Sequence, residues 1–216
     1  MYTGSVTVGG HADVHELTAL IISKIAVGPY NNNSYLLRCR RTGQQVLIDA
    51  AAEPERLISL IGDGGITSVI TTHSHADHWQ ALSTIVELTG AQTIAHALDT
   101  GDIPVPTDLY VTDGDAVKVG DCSLTVRHLV GHTPGSIALI FNDLDGPPHL
   151  FTGDCLFPGG VGKTRSTDDF DSLLTGVTDK LFAVLPDETW VYPGHGDDTT
   201  LGTERPHLDE WRERQW

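Results

Sequence analysis

Three histidines and one aspartate fall within six consecutive positions of the chain, as His73, His75, Asp77 and His78. They follow an apolar run at 66–70. His73 and His75 are two positions apart on a chain that leaves an extended segment, so their imidazoles can point the same way. Asp77 and His78 lie further round the turn and can face a second ion. Because so many titratable groups beside an apolar strand are costly unless a cation satisfies them, the spacing predicts a metal site rather than a solvated loop.

Three more loops place a histidine or an aspartate directly after a predicted apolar strand. They contain His132 in Gly-His-Thr-Pro-Gly-Ser, Asp154 in Gly-Asp-Cys-Leu-Phe and His195 in Pro-Gly-His-Gly. Together with the first cluster they supply five histidines and two aspartates, which suits two ions with one carboxylate between them. Imidazole and carboxylate donors without thiolates favour zinc, iron or manganese. Two ions about 3.5–4 Å apart lower the pKa of a shared water, so the pattern favours hydrolysis.

Short strands and helices must position these loops. Apolar periodicity and Gly/Pro breaks predict helices at 54–61, 79–89, 168–185 and 206–215. Strands are predicted at 17–27, 34–39, 45–49, 66–71, 92–95, 116–119, 123–130, 136–141, 150–152 and 190–192. Hairpin-like connections are too frequent for a doubly wound sheet, so we expect an α/β layered sandwich in a single domain, residues 1–216. Residues 1–15 are polar and glycine-rich and are predicted to be a loose extension.

The composition narrows the possible partners. The 216 residues include 29 acidic and 13 basic ones, and the formal net charge of -16 argues against nucleic acid and against an anionic membrane surface. Residues 1–15 lack the basic and apolar regions of a leader peptide, and no apolar run suits a membrane span. Three cysteines without a C-x-x-C pattern fit a reducing compartment. We therefore expect a cytoplasmic protein that acts on a small-molecule substrate.

The four motifs, in this order, resemble those of the metallo-β-lactamase superfamily, and the resemblance extends over residues 33–195. It implies a four-layered αββα sandwich with two divalent metal ions at the edge between its two halves. The resemblance also implies a role for each of the seven motif residues. His73, His75 and His132 would hold the first ion, and Asp77, His78 and His195 would hold the second. Asp154 would bridge the two ions.

Within that superfamily the sequence is most similar to the glyoxalase II group, the hydroxyacylglutathione hydrolases. This resemblance implies a thioester hydrolase in which a hydroxide bridged between two metal ions, with zinc expected, attacks the carbonyl carbon. Asp77 would be catalytic as well as ligating, because it would orient the water or take up its proton. The loop at 158–164 resembles the family's substrate loop, in which Lys163 would bind the thiol-bearing part. The same loop is not a phosphate loop, since the earlier glycine that it would need falls at Phe157.

Several alternatives stay open. A persulfide dioxygenase also resembles this sequence and would use one iron at His73, His132 and Asp154. A lactonase or another esterase would keep both ions and differ only in its pocket. The longer glutathione-thioester hydrolases carry a helical C-terminal domain, whereas 21 residues follow His195, so the thiol and acyl parts of the substrate are also open. A nuclease would need a large inserted domain, and a structural metal module would need four ligands rather than seven.

Cys155 directly follows Asp154. Exported β-lactamases of the superfamily carry a cysteine at the position of that aspartate. We interpret Cys155 as a small buried side chain rather than a ligand. Because no leader peptide is predicted, an antibiotic-degrading role is not favoured.

Overall fold

The computed structural model describes residues 2–215, in which two large β-sheets pack face to face. The first sheet has seven strands in chain order: β1 (Asp13–Glu16), β2 (Leu20–Val27), β3 (Asn32–Cys39), β4 (Gln45–Ile48), β5 (Ser68–Ile70), β6 (Gln92–His96) and β7 (Leu109–Val111). Strands β1 to β4 are antiparallel, and β4 to β7 are parallel.

The second sheet has six strands in the order β15-β14-β11-β10-β9-β8. Their ranges are β8 (Ala116–Val119), β9 (Cys122–His128), β10 (Ile137–Phe141), β11 (His149–Gly153), β14 (Trp190–Pro193) and β15 (Thr199–Thr200). Among the described residues of this sheet, only β11 and β14 are paired in parallel. A separate two-stranded ribbon of β12 (Leu156–Phe157) and β13 (Gly160–Val161) follows β11 in the chain.

In the part of the chain that the structure describes, five α-helices cover the outer faces: α1 (Pro54–Ile61), α2 (Leu82–Thr89), α3 (Thr167–Val177), α4 (Leu201–Glu204) and α5 (Leu208–Arg214). Helix α1 has the predicted bounds, with Pro54 in its first turn. Helix α2 begins three residues later than predicted, because the chain makes a 3₁₀ turn at Ala76–His78 first. No helix within residues 2–215 combines the length and the apolar character that a membrane span requires.

The alternation of side chains along the strands separates three apolar cores. In β4, Val46 and Ile48 face the space between the sheets, whereas Leu47 faces α1 and α2. In β10, Leu139 points between the sheets and Ala138 points toward α3. Both sheets therefore bury both faces, and the layers run helix, sheet, sheet, helix. The predicted αββα sandwich is confirmed.

The predicted loose extension at residues 1–15 is wrong for the described part of that segment. Strand β1 pairs with β2 along its whole length, and the Tyr2 hydroxyl donates a 2.5 Å hydrogen bond to Asp198. The fully buried Lys24 ammonium donates to the Gly4 carbonyl at 2.7 Å and to Asp198 at 2.6 Å. Periodicity missed β1 because it is a short edge strand that is half-buried on one face and exposed on the other. Met1 lies outside the described residues.

We expect Asp198→Asn to lower the free energy of unfolding by about 3 kcal/mol or more, because it leaves the Lys24 charge buried without its partner. Urea unfolding of the purified variant measures this change. Asp187→Asn is the matched control, since Asp187 pairs with Arg205 at the surface and its loss should cost less than about 1 kcal/mol. Equal effects of the two substitutions would contradict the buried-pair account.

Candidate metal centre

Four loops that carry the motif residues meet at one edge of the sandwich, each shortly after a strand ends. The backbone joins them directly: Gly194 N–H donates to the Gly153 carbonyl at 2.8 Å, and Ile137 N–H donates to the Thr72 carbonyl at 2.9 Å. Gly194 must lack a side chain, because a Cβ there would collide with Asp154 and His78. Loops that follow strands of both sheets thus place the motif side chains at one edge of the sandwich.

The first group of side chains contains three imidazoles and one carboxylate: His73, His75, His132 and Asp154. One possible ligand atom from each lies within 4.8 Å of the others. The Nε2 atoms of His73 and His132 are 3.2 Å apart, and Asp154 Oδ2 lies 3.9 Å and 3.5 Å from them. This group is largely buried, and it has the donor types and spacing of a four-coordinate metal site.

The second group contains Asp77, His78 and His195. The Nε2 atoms of His78 and His195 are 3.2 Å apart, and His195 Nε2 lies 3.4 Å from Asp77 Oδ2. Asp154 also approaches this group, with Oδ1 3.3 Å from His78 Nε2 and Oδ2 3.5 Å from His195 Nε2. Asp154 therefore lies between the two groups, and all seven side chains named from the sequence come together at one site.

The unsatisfied atoms in this centre fit bound cations. Within residues 2–215, the buried Asp154 Oδ1 accepts no hydrogen bond. The Nε2 atoms of His73 and His132 lie 3.2 Å apart, and so do those of His78 and His195. The Nε2 atom of a neutral imidazole can bind a metal ion when it carries no proton. A buried cluster of this kind is costly unless a cation compensates it. The donor set, five imidazoles and two carboxylates, matches divalent ions of the zinc, iron or manganese type.

The protonation states favour metal binding in the first group. Burial lowers the pKa of His73, His75 and His132, which keeps their imidazoles neutral, the form that binds a metal ion. Burial alone would raise the pKa of Asp154, but the neighbouring His78 outweighs it, and the pKa of this carboxyl is well below its usual range. The group thus presents neutral imidazoles and an ionised carboxylate.

The other ring nitrogen of several histidines is fixed by a hydrogen bond from behind. His132 Nδ1 donates to the Lys163 carbonyl at 2.7 Å, and His195 Nδ1 donates to the Tyr30 carbonyl at 2.9 Å. His78 Nδ1 lies 2.8 Å from the carboxylate of Asp49. These bonds set the tautomer and turn each Nε2 toward the centre, as outer partners of metal-bound histidines do.

Sequence reasoning missed three residues that support this centre: Asn32, Asp49 and Asp99. Asn32 Nδ2 donates to Asp77 Oδ2 at 2.9 Å. Asp49 accepts from the backbone N–H and the hydroxyl of Thr72, at 2.7 Å and 2.8 Å, in addition to its contact with His78. Asp49 directly follows the apolar strand β4, so the strand-end rule that found the other loops could also have found it.

We expect Asp49→Asn to weaken metal binding by about 10–100-fold, because His78 loses the carboxylate that orients its ring. Competition with a coloured chelator measures the affinity. Asp108→Asn is the matched control, since Asp108 likewise accepts from the backbone N–H and the hydroxyl of a threonine, Thr93, but away from the centre. Unchanged affinity in Asp49→Asn would contradict this role.

A pocket of about 400 Å³ adjoins the centre. It is lined by the loop after Asp154: Phe157, Pro158, Gly160, Val161, Gly162 and Lys163. Lys163 is exposed, and its backbone carbonyl is the one that holds His132. Cys155 is buried in the core beneath α3, and burial raises the pKa of its thiol, so the interpretation of Cys155 as a small buried side chain is confirmed.

Comparison with known families identifies the class of protein. A family model described as "Metallo-beta-lactamase superfamily" matches residues 27–195. The chain belongs to the metallo-β-lactamase superfamily, and this membership together with the His/Asp centre implies a divalent metal ion.

Individual relatives differ in their named activities. The chain is 36% identical over 179 residues to a hydroxyacylglutathione hydrolase of Polaromonas sp., and the aligned region covers 82% of this chain and 66% of that relative. It is 33% identical over 171 residues to the human mitochondrial persulfide dioxygenase ETHE1, and the aligned region covers 75% of this chain and 63% of that relative. The crystal structure of TTHA1623 in a di-iron-bound form has a TM-score of 0.70 and 32% identity, and covers 84% of this chain and 96% of that one.

Proposed function

We propose that this protein is a metal-dependent thioesterase with two divalent ions, zinc in the first instance. The observation that carries the proposal is the position of Asp154 between two groups of ligand atoms. In this assignment Asp154 would help to hold both ions, and the other six residues would divide between them. His73, His75 and His132 would hold the first ion, and Asp77, His78 and His195 the second. When bound, the ions supply Lewis acidity and lower the pKa of a water that they share.

The chain's own residues then position the reactants. Asp77 is partly exposed at the mouth of the centre, and Asn32 donates to its Oδ2. We assign Asp77 a catalytic role in addition to ligation: its carboxylate orients the attacking water or accepts its proton. Asp154 and the imidazoles whose Nδ1 atoms are hydrogen-bonded are held in fixed positions around the site of the attacking water. Little reorganisation of these groups is therefore needed when charge develops on the carbonyl oxygen of the substrate.

The pocket supports a thioester as the substrate. Its walls are mainly apolar, the Phe157 ring lies 6.2 Å from the His195 ring between centroids, and Lys163 is the charged residue of the lining. We propose that Lys163 binds the thiol-bearing part, as the relative named a hydroxyacylglutathione hydrolase suggests. A lactone or another ester fits the same two-ion centre.

We expect Lys163→Met to raise KM for a thioester with an anionic thiol part about tenfold, with a smaller effect on kcat, because a contact to a charged group is lost. Steady-state kinetics on an anionic thioester and on a neutral one with the same acyl group measure the difference. Lys118→Met on strand β8 is the control and should leave both KM values unchanged. An equal rise in KM for the two substrates would contradict charge recognition by Lys163.

A mononuclear persulfide dioxygenase is the second candidate. It is favoured by the first group, in which His73, His132 and Asp154 already form a compact set of three possible ligands, and by the human relative of that name. In this case one iron would occupy the first group and the second group would not bind a metal.

A panel of substrates separates the candidates. Protein loaded with zinc and protein loaded with iron are each assayed for thiol release from acyl thioesters, for lactone opening and for oxygen consumption with a persulfide. The proposal predicts thiol release by protein that contains two ions. Oxygen consumption by iron-loaded protein, without thioester turnover, would refute it in favour of the dioxygenase.

Three broader properties are also proposed. We propose that residues 1–216 form one domain, supported by the core that both sheets share. A cytoplasmic location is supported by three free cysteines, which suit a reducing compartment. A small-molecule substrate without a nucleic-acid partner is supported by the net charge of -16.

A further inference from the structure

Asp99 is a buried carboxylate next to the first ligand group that is not itself among the ligands. It follows strand β6 in a turn and is only 2% exposed. Its Oδ2 accepts from the backbone N–H of Ser74 at 2.8 Å and from the Thr133 hydroxyl at 2.5 Å. Its Oδ1 accepts from the backbone N–H of Gly135 at 2.6 Å. Three donors therefore converge on one side chain that is shielded from water.

These donors belong to the two loops that carry the first group of imidazoles. Ser74 lies between His73 and His75, and Thr133 directly follows His132. The Ser74 loop follows a strand of the first sheet and the Thr133 loop follows a strand of the second. The Asp99 carboxylate therefore links two loops whose histidines, His73 and His132, are 59 positions apart in the sequence. The contact is close enough that a Cβ on residue 135 would lie 2.8 Å from Asp99, which explains the glycine there.

We propose that Asp99 is a positioning residue for the first metal ion, and the proposal rests on the two-ion centre proposed above. Asp99 holds the His73–His75 loop against the His132 loop, so that their three imidazoles converge before the ion binds. Without the carboxylate, two backbone N–H groups lose their acceptor inside the protein and the loops must separate or admit water. The ion would then have to order the ligands itself, which weakens its binding.

The effect of Asp99 should be confined to one of the two ions. Within residues 2–215, the hydrogen bonds of its side chain come from Ser74, Thr133 and Gly135, all in the loops of the first group. The second group is fixed by other residues, with Asp49 behind His78 and the Tyr30 carbonyl behind His195. A residue that merely stabilised the fold would affect both ions alike.

Metal affinity in single-site backgrounds tests this selectivity. His195→Gln disables the second group, and His132→Gln disables the first. Asp99→Asn is then added to each, and Co²⁺ binding is measured by its visible absorption in competition with a chelator. We expect Asp99→Asn to weaken binding about 10–100-fold in the His195→Gln background and to leave it unchanged in the His132→Gln background.

Two further variants control for misfolding. Thr133→Val removes only one of the three hydrogen bonds to Asp99 and should weaken the first ion in the same direction by a smaller factor. Asp13→Asn removes a carboxylate with the same set of donors, two backbone N–H groups and one threonine hydroxyl, none of which belongs to a loop that carries a candidate ligand, and it should change neither ion. Unchanged affinity in Asp99→Asn, or equal losses in both backgrounds, would overturn the positioning role. Failure of the unmodified protein to bind two ions would instead refute the proposed function.

Discussion

Asp154→Ala is expected to lower kcat/KM for a thioester by about 10²–10³-fold or more and to lower the metal content of the protein. The reason is the position of this carboxylate, whose oxygens lie 3.3–3.9 Å from imidazole nitrogens of both ligand groups. Its removal leaves each group one donor short and removes the negative charge between them. Elemental analysis and thiol-release kinetics on the same preparation measure both effects.

The control for this substitution is Asp145→Ala, which removes an exposed carboxylate from the turn between β10 and β11. It should change neither metal content nor turnover. If Asp154→Ala kept two ions and full turnover, Asp154 could not be the carboxylate that the two ions share. Loss of the fold is checked by thermal unfolding, since a folded variant without metal is the expected product.

His195→Gln is expected to remove the second ion, to retain the first and to lower thioester hydrolysis by about 10²–10³-fold. His195 belongs to the second group only, where its Nε2 lies 3.2 Å from that of His78 and 3.4 Å from Asp77. A hydrolase that needs both ions cannot tolerate this loss. Metal analysis and kinetics of the purified variant give the two numbers.

The same variant distinguishes the dioxygenase. An enzyme with one iron at His73, His132 and Asp154 would keep its iron and its oxygen consumption in His195→Gln. His207→Gln is the control, because His207 is an exposed histidine that pairs with Glu210 at the surface. Full activity of His195→Gln in either assay would count against the two-ion thioesterase.

Much of the site could be predicted from the sequence because its residues follow strands. Apolar segments such as residues 150–152 and 190–192 are easy to recognise, and parallel strands β11 and β14 end at the same edge, so Asp154 and His195 had to lie close together. The loop at 73–78 follows β5 of the other sheet, so its approach to these residues depends on how the two sheets pack. The role of all seven side chains as metal ligands stays a prediction, as does the role of Lys163.

The N-terminal strand could not be predicted because its stability comes from distant partners. Strand β1 has the sequence Asp-Val-His-Glu, with little apolar character, and it forms because β2 offers an unpaired edge. Lys24 and Asp198 then hold the preceding segment through contacts across 174 positions of the chain. The local pattern of apolar and polar residues does not predict a contact between residues so far apart in the sequence.

The supporting carboxylate Asp99 escaped prediction for the same reason. It lies in the turn Ala-Leu-Asp-Thr, where an aspartate normally caps its own backbone in solvent. Its actual donors are 25, 34 and 36 positions away, in two loops from different sheets. Only the assembled sandwich brings them to it. Asp99 thus required the structure, whereas the candidate ligands, and Asp49 at the end of β4, follow strands that the sequence predicts.

The most direct test of the account is the number of metal ions per chain, measured by elemental analysis on protein prepared without chelators and without a metal-affinity tag. Two ligand groups that share Asp154 predict close to two zinc, iron or manganese ions per chain. A single iron with little zinc would contradict the two-ion centre and would direct the work toward a persulfide substrate.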